Sequence, residues 1–338
     1  MTQTYNVAVV GATGLVGEAI LELLEERDFP VGDLFPLASA ESAGKPVYFK
    51  GRSFKVGVLA DFDFAQVQIA LFSAGSDVAA EYAPRAVEAG CVVIDNSACF
   101  RNEPEVPLVV PEVNPERVHE HCGIIANPNC STIQMLVALA PIYRSVGIRR
   151  INVSTYQAVS GAGRKAVEEL ARQTALLLNA RDIDNQLFAK QMAFNVLPQI
   201  DSMDDSGYSG EELKMVWETR KILEDDEIGV TPTCVRVPVF FGHSEAVHIE
   251  TRDQISALEV RELLEQSPGI EVIDEPEGGG WATAVTEAAG KDAVFVSRIR
   301  EDITCDNGIN LWIVSDNVRK GAALNAVQIA ELLVRNGV

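Results

Sequence analysis

A chain of 338 residues is long enough for two domains, each with its own core. Its composition, 47% hydrophobic and 23% charged, is that of an ordinary soluble globular protein, and no apolar run approaches the ~20 residues of a membrane span. Lys plus Arg number 28 against 49 Asp plus Glu, a formal net charge of −21, which argues against nucleic acid and anionic membrane as partners. An anionic substrate would need a locally basic pocket. The first residues lead straight into a strand-like run, so no leader peptide and a cytoplasmic location are expected. Six cysteines without a C-x-x-C pair predict neither a disulfide framework nor a metal site.

In chain order, Asn6-Val7-Ala8-Val9-Val10 has the apolar continuity of a buried parallel strand. Gly11-Ala12-Thr13-Gly14-Leu15-Val16-Gly17 follows and opens a helix to about Glu26, with Leu15, Ala19 and Leu23 on one face. A glycine-rich turn there lets a pyrophosphate approach the helix N-terminus. The spacing G-x-x-G-x-x-G is weak as a bare pattern and gains weight from its place after the first strand; a tight turn without ligand is the lesser alternative. Residues 34–38 predict a second strand ending in a Ser-rich turn, where a dinucleotide fold reads the adenosine ribose. Residues 47–49 and 54–58 predict a hairpin, 69–72 and 92–95 buried strands, and 77–89 a helix. Asn96 to Arg101 then lie at a strand's C-terminal end, in the crevice where open α/β sheets place ligands. The alternation of strand and helix predicts a Rossmann-like parallel sheet.

Asn127-Pro128-Asn129-Cys130-Ser131-Thr132-Ile133-Gln134 is the most telling stretch. Cys130 falls where a helix begins, because Ile133, Leu136, Val137 and Ala140 recur at helical spacing. Unpaired N–H groups and the dipole at a helix N-terminus favour thiolate, and the same groups could hold an oxyanion beside the sulfur. Most cysteines are buried structural residues. The polar neighbours on both sides favour a nucleophile here.

Beyond it the pattern becomes α+β. Strands are predicted over 150–159, 233–241, 243–251, 293–300 and 309–315, and helices after Ser160-Gly161-Ala162-Gly163 to Asn179, over 211–223 and over 317–334. The last helix is expected to return to the first domain, so the domains are set at 1–129 with 317–338, and at 130–316. On the predicted strand through Arg236, Val235, Val237 and Val239 share one face and Arg236 takes the other, which is costly unless it meets an anion. Its fork suits a carboxylate. His243, just past the Gly242 turn, has the range for acid or base work. His119, His121 and His248 read as ordinary surface or core residues. Glu211 and Lys214, at i and i+3, taken alone read as a solvated ion pair, and Arg101 as a surface charge.

The set Gly-Ala-Thr-Gly-Leu-Val-Gly, Asn-Pro-Asn-Cys-Ser-Thr-Ile-Gln, Tyr-Gln-Ala-Val-Ser-Gly-Ala-Gly, Glu-Glu-Leu-Lys, Arg-Val-Pro-Val-Phe-Phe-Gly-His-Ser and Ser-Asp-Asn-Val-Arg-Lys-Gly-Ala-Ala resembles the aspartate-semialdehyde dehydrogenase family, from about residue 5 onward. The resemblance implies oxidation of L-aspartate 4-semialdehyde with NADP and phosphate to L-aspartyl 4-phosphate, run in reverse by the cell toward lysine, diaminopimelate, threonine and methionine. It implies a homodimer built by the second domain. By the same resemblance Cys130 is the nucleophile, His243 the acid/base, and Gln157 orients substrate. Arg236 grips the substrate carboxylate and Glu211 its amine, while Arg101, Asn96 and Lys214 bind phosphate. Gly11, Thr13, Gly14, Leu15 and Val16 line the cofactor pyrophosphate, with Ser39, Glu41 and Ser42 at the ribose and Ser160, Gly161 and Asn317 near the nicotinamide. The alternatives are an N-acetyl-glutamyl-phosphate-type reductase, whose acylated amine would not want Glu211, and a non-catalytic paralogue acting as a binding protein.

One position departs from the family pattern. Where members usually carry an arginine against the 2′-phosphate of NADP, this chain has Glu41. A carboxylate there repels a phosphate and can accept the ribose hydroxyls of NAD, with Ser39, Ser42 and Lys45 as compensation. NADP is the expected cofactor, with NAD admitted by Glu41. Glu41→Arg is expected to raise kcat/KM for NADP on the order of tenfold, or ~1.4 kcal/mol. A wild type that strongly prefers NADP, with a ratio unmoved by the substitution, would show that Glu41 points away from the ribose.

Overall fold

A computed structural model describes residues 3–275 and 277–335. The chain divides into two compact units, one running to Pro128 and resuming at Ala322, the other spanning Asn129–Gly321. In order, the first carries β1 (Tyr5–Val10), α1 (Leu15–Glu26), β2 (Val31–Ala38), β3 (Pro46–Phe49), β4 (Arg52–Lys55), β5 (Gly57–Val58), β6 (Ile69–Phe72), α2 (Ser76–Glu88), β7 (Val92–Asp95) and β8 (Ile124–Ala126). The second carries α3 (Cys130–Val146), β9 (Ile148–Gln157), α4 (Arg164–Leu178), α5 (Gly210–Leu223), β10 (Gly229–Arg236), β11 (His243–Thr251), α6 (Ala257–Glu265), β12 (Ile270–Val272), β13 (Val294–Glu301) and β14 (Gly308–Ser315). α7 (Leu324–Arg335) belongs to the first unit.

The first unit is a six-stranded sheet in the order β5-β2-β1-β6-β7-β8, parallel at every pairing. A parallel sheet covered on both faces needs strands that are apolar on both sides, which β1 and β6 supply. Phe64 and Phe72 stack beside Phe62 and Phe35 in the core on one side. α7 lies against α1 and β7, where Arg27 holds Glu331 through two hydrogen bonds of 2.6 and 2.8 Å. Asn325 donates to the Val109 carbonyl and the Asn127 side chain.

The turn between β1 and α1 is tight for a steric reason. Gly11 has φ +85°, a value that L side chains avoid. A Cβ on Gly17 would sit 2.1 Å from the Gly11 carbonyl oxygen. Gly14 begins α1 with no side-chain cap, so the helix N-terminus is left to a ligand or water.

The second unit is a mixed six-stranded sheet in the order β10-β9-β11-β14-β13-β12. Its outer pairs β10–β9 and β12–β13 are parallel and its inner pairs antiparallel. α3 lies against β9, β11, β13 and β14, and the residues it buries are mostly apolar, with Ser131, Thr132 and Gln134 the polar exceptions near its start. No helix among the described residues is long and apolar enough to cross a membrane.

Three elements differ from the sequence expectation. The strand predicted over 233–241 ends at Arg236, because Pro238 has no N–H to carry a ladder further. The predicted hairpin over 47–58 is shorter: β4 pairs with β3, and β5 joins the parallel sheet beside β2. The helix predicted over 317–334 opens with a wide π turn, Arg319–Ala323, before α7. Gly17→Ala is expected to lower stability by about 1–3 kcal/mol through overpacking, read as a fall in the urea midpoint. An unchanged midpoint would mean that the turn opens without cost.

Candidate active site

The residue before Cys130 is the best-held position of the second unit. Asn129 has extended backbone and caps α3, its Oδ1 accepting from the N–H groups of Ser131 (3.0 Å) and Thr132 (3.3 Å). Asn is among the best N-cap residues for this reason. Its own N–H donates to Glu218 Oε2 at 2.6 Å, and its Nδ2 donates to Glu211 Oε1 at 2.8 Å. Glu211 and Glu218, seven residues apart on one face of α5, are both buried. α5 itself starts with a full capping box between Ser209 and Glu212.

Glu211 gathers more than Asn129. Its Oε1 also accepts from Gln157 Nε2 at 3.2 Å, and Lys214 Nζ stands 3.4 Å from Oε2. Lys214 makes its shorter bond to Asp201, 2.9 Å, which holds that carboxyl below the usual range. The pair that looked like a solvated ion pair in sequence is thus half-buried structure, tied to the N-cap of α3.

Arg236 closes β10 beside Gln157, its register partner on β9. The guanidinium is buried and Nη1 donates to the Ala158 carbonyl at 2.8 Å. Burial pulls its pKa down, while the negative fields of Glu211 and Cys130 pull the other way. Arginine still keeps its charge, so Cys130 and Arg236 are electrostatic neighbours.

His243 is fully buried at the start of β11. The Ala158 N–H donates to its Nδ1 at 3.1 Å. A ring nitrogen that accepts is unprotonated, so the neutral ring carries its proton on Nε2. Burial first, and then the Arg236 charge, hold its pKa well below the usual imidazole range, against a smaller opposite effect at the Gly242 backbone. Nε2 makes no hydrogen bond within the protein. It borders Gly161, where a Cβ would lie 3.3 Å from Nε2 and 2.9 Å from Arg236 Nη1. Only a glycine leaves both groups uncovered.

Asn317 fastens this wall, exchanging hydrogen bonds with Ser160 Oγ (3.0 and 3.1 Å) and accepting the Gly242 N–H at 2.9 Å. Gly321 faces Cys130; a Cβ there would lie 2.8 Å from Cys130 Cβ. The thiol of Cys130 is partly exposed. By contrast burial pushes the Cys91 thiol up to about 12 and raises that of Cys234 further still.

The second unit therefore brings together Cys130, Gln157, Ser160, Gly161, Glu211, Lys214, Arg236, His243 and Asn317. The other predicted site residues lie in the first unit. Arg101 is buried at the end of β7, its Nη2 donating to the Asn96 carbonyl at 2.8 Å, while Asn96 Oδ1 accepts from Asn127. Gly11, Thr13, Gly14, Leu15 and Val16 form the turn into α1. Ser39, Glu41 and Ser42 lie on a short 3₁₀ turn after β2, with Glu41 exposed and Ser42 held by Lys45. Sequence reasoning missed Asn129, Glu218 and Gly321. The seven-residue spacing of Glu211 and Glu218, two turns on one face, was the available signal. Gly321 offered none. Among the described residues no group of three His, Cys, Asp or Glu side chains is placed to hold a metal ion.

The chain matches two family models, "Semialdehyde dehydrogenase, NAD binding domain" over residues 6–121 and "Semialdehyde dehydrogenase, dimerisation domain" over residues 139–320. It is 59% identical to aspartate-semialdehyde dehydrogenase 2 of Vibrio cholerae, with 99% of each chain covered. A crystal structure of Vibrio cholerae aspartate semialdehyde dehydrogenase II complexed with ASA matches it with a TM-score of 0.98 and 58% identity over 99% of this chain and 100% of that one. An aspartate semialdehyde dehydrogenase with NADP from Candida albicans matches with a TM-score of 0.77 and 26% identity, over 99% of this chain and 100% of the other. A buried arginine and a neutral histidine beside a helix-capped cysteine, within a chain matched along its whole length, lead to one assignment: the chain belongs to the aspartate-semialdehyde dehydrogenase family.

Proposed function

We propose that the chain interconverts L-aspartate 4-semialdehyde and L-aspartyl 4-phosphate through a thioester on Cys130, with NADP as cofactor and inorganic phosphate as co-substrate. It would work as a cytoplasmic homodimer that runs reductively in amino-acid biosynthesis. The observation that carries this reading is that Arg236 and His243 both border Gly161, with Cys130 within electrostatic reach of Arg236. An aldehyde is a poor hydride donor until a nucleophile adds to it, and the thiolate is the nucleophile best suited. The positive end of the α3 dipole and the Arg236 charge would stabilise negative charge on the sulfur.

Addition gives a tetrahedral hemithioacetal whose oxygen bears the charge. His243 suits that oxygen as a donor through Nε2–H. If the sulfur adds as thiolate, this step removes no proton, and His243, the acid/base of this reading, would meet the new oxyanion as a hydrogen-bond donor. Arg236 would hold the substrate carboxylate in its fork. Glu211 would meet the substrate amine through Oε2, since Oε1 already accepts from Asn129 and Gln157. Lys214, Arg101 and Asn96 would take the phosphate, for which Lys214 must leave Asp201. Phosphate then attacks the thioester carbon and the Cys130 thiolate departs.

A nicotinamide cofactor held at the turn between β1 and α1 would supply the hydride-transfer chemistry. Its fit rests on the Gly11–Gly14–Gly17 turn, too tight for side chains, and on the uncapped N-terminus of α1, which suits a pyrophosphate. An N-acetyl-glutamyl-phosphate-type reductase is disfavoured by the buried carboxylate of Glu211, which would face an uncharged acylated amine.

NADPH formation from the semialdehyde should require phosphate and vanish in Cys130→Ser. Arg236→Lys should lower kcat/KM for the semialdehyde on the order of a hundredfold, ~2.7 kcal/mol, and Lys214→Ala should raise the KM for phosphate instead. Steady turnover without phosphate, or equal losses for both substrates in both variants, would contradict the division of roles.

A further inference from the structure

β11 carries a second ionisable group on the face that bears His243. Along it His243, Glu245, Val247, Ile249 and Thr251 are all buried, and α3 packs against this strand. Glu245 is wholly inaccessible, and its carboxyl faces the Ser131 hydroxyl and the Gln134 amide. Those side chains stand one and four residues after Cys130, on the first turn of α3. Neither Glu245 oxygen, nor Ser131 Oγ, nor either polar atom of the Gln134 amide completes a hydrogen bond, although each is fully buried. Five such atoms facing one another beneath a nucleophile are more than packing requires, since an apolar triad would fill the space at no desolvation cost.

We propose that Glu245 is a positioning residue for Cys130: through Ser131 and Gln134 it fixes the first helical turn of α3, which carries the sulfur. The inference rests on the reading of Cys130 as the nucleophile. Glu245 serves in its protonated form. Burial drives its pKa well above the ordinary carboxyl range, and Ser131 and Gln134 offset only part of that. Of the titratable groups on the elements around it, Cys234 on β10 lies within its field and within those of Glu211 and Glu212 on α5, His243 shares its face of β11, Arg236 closes β10 and Cys130 starts α3. A protonated acid offers one donor and one acceptor, which match the Gln134 carbonyl or amide and the Ser131 hydroxyl. An anion could match neither the surrounding apolar strand face nor the nearby carboxylates.

The test compares Glu245→Gln and Glu245→Leu in the full-length enzyme. Iodoacetamide labelling of the Cys130 peptide is followed by mass spectrometry across pH, beside kcat and KM. Glu245→Leu should lower kcat about tenfold or more with KM for the semialdehyde little changed, and should move the labelling midpoint to higher pH. Glu245→Gln, neutral and of the same shape, should restore most of kcat and the wild-type midpoint. A Gln variant as impaired as the Leu variant would show that the charge matters and overturn the proposal, as would a Leu variant like the wild type. If Glu245→Leu fails to fold, Ser131→Ala with Gln134→Leu should give the same midpoint shift, and its absence would overturn the proposal equally. Labelling reads the sulfur whatever the reaction. Retained turnover in Cys130→Ser would sink the functional reading separately.

Discussion

Two buried carboxylates on α5 hold the residue that precedes Cys130, and the geometry at the start of α3 depends on that grip. Glu218 takes the Asn129 backbone N–H and Glu211 its side-chain amide. Asn129 in turn caps α3 with its own oxygen. The first turn of the helix, and with it Cys130, is thereby fixed before any substrate arrives, so no free energy is spent on orienting it during reaction. Glu211 also reaches Gln157 and Lys214, so one side chain couples the nucleophile's cap to two groups proposed to touch substrates.

Charge in this site is arranged so that no burial is left uncompensated without purpose. Arg236 is buried next to two negative partners, Glu211 and Cys130, and gives one hydrogen bond to a carbonyl. His243, beside that cation, is kept neutral, with a backbone N–H selecting the tautomer. A protonated ring would lose the Ala158 hydrogen bond and repel Arg236, so the same contacts that orient the ring also set its state. Glycines at 161 and 321 leave open the faces of Arg236, His243 and Cys130 that a side chain would cover.

Much of this was legible in the sequence wherever a property is local. The Gly11–Gly17 turn, the helix starting at Cys130 and the Arg236–His243 pairing across one turn follow from spacing and residue type alone. What escaped depends on distant chain. Glu211 and Lys214 read as a surface pair because nothing near them shows that α5 buries its Glu211–Glu218 face. Alternation along β11 puts Glu245 on the face of His243, but nothing local to that strand reveals that α3 covers it. The end of β10 at Arg236 was overrun because the alternating valines continue past it, while Pro238 breaks the ladder. The π turn over Arg319–Ala323 carries no distinct signal, and the helical pattern around it concealed it.

A covalent intermediate on Cys130 is the central claim, and quenching the enzyme with semialdehyde and NADP in the absence of phosphate tests it most directly. The account predicts one NADPH per active site in a single burst, an acyl adduct on the Cys130 peptide, and its release on adding phosphate. Continued turnover without phosphate, or a burst that leaves Cys130 unmodified, would contradict it.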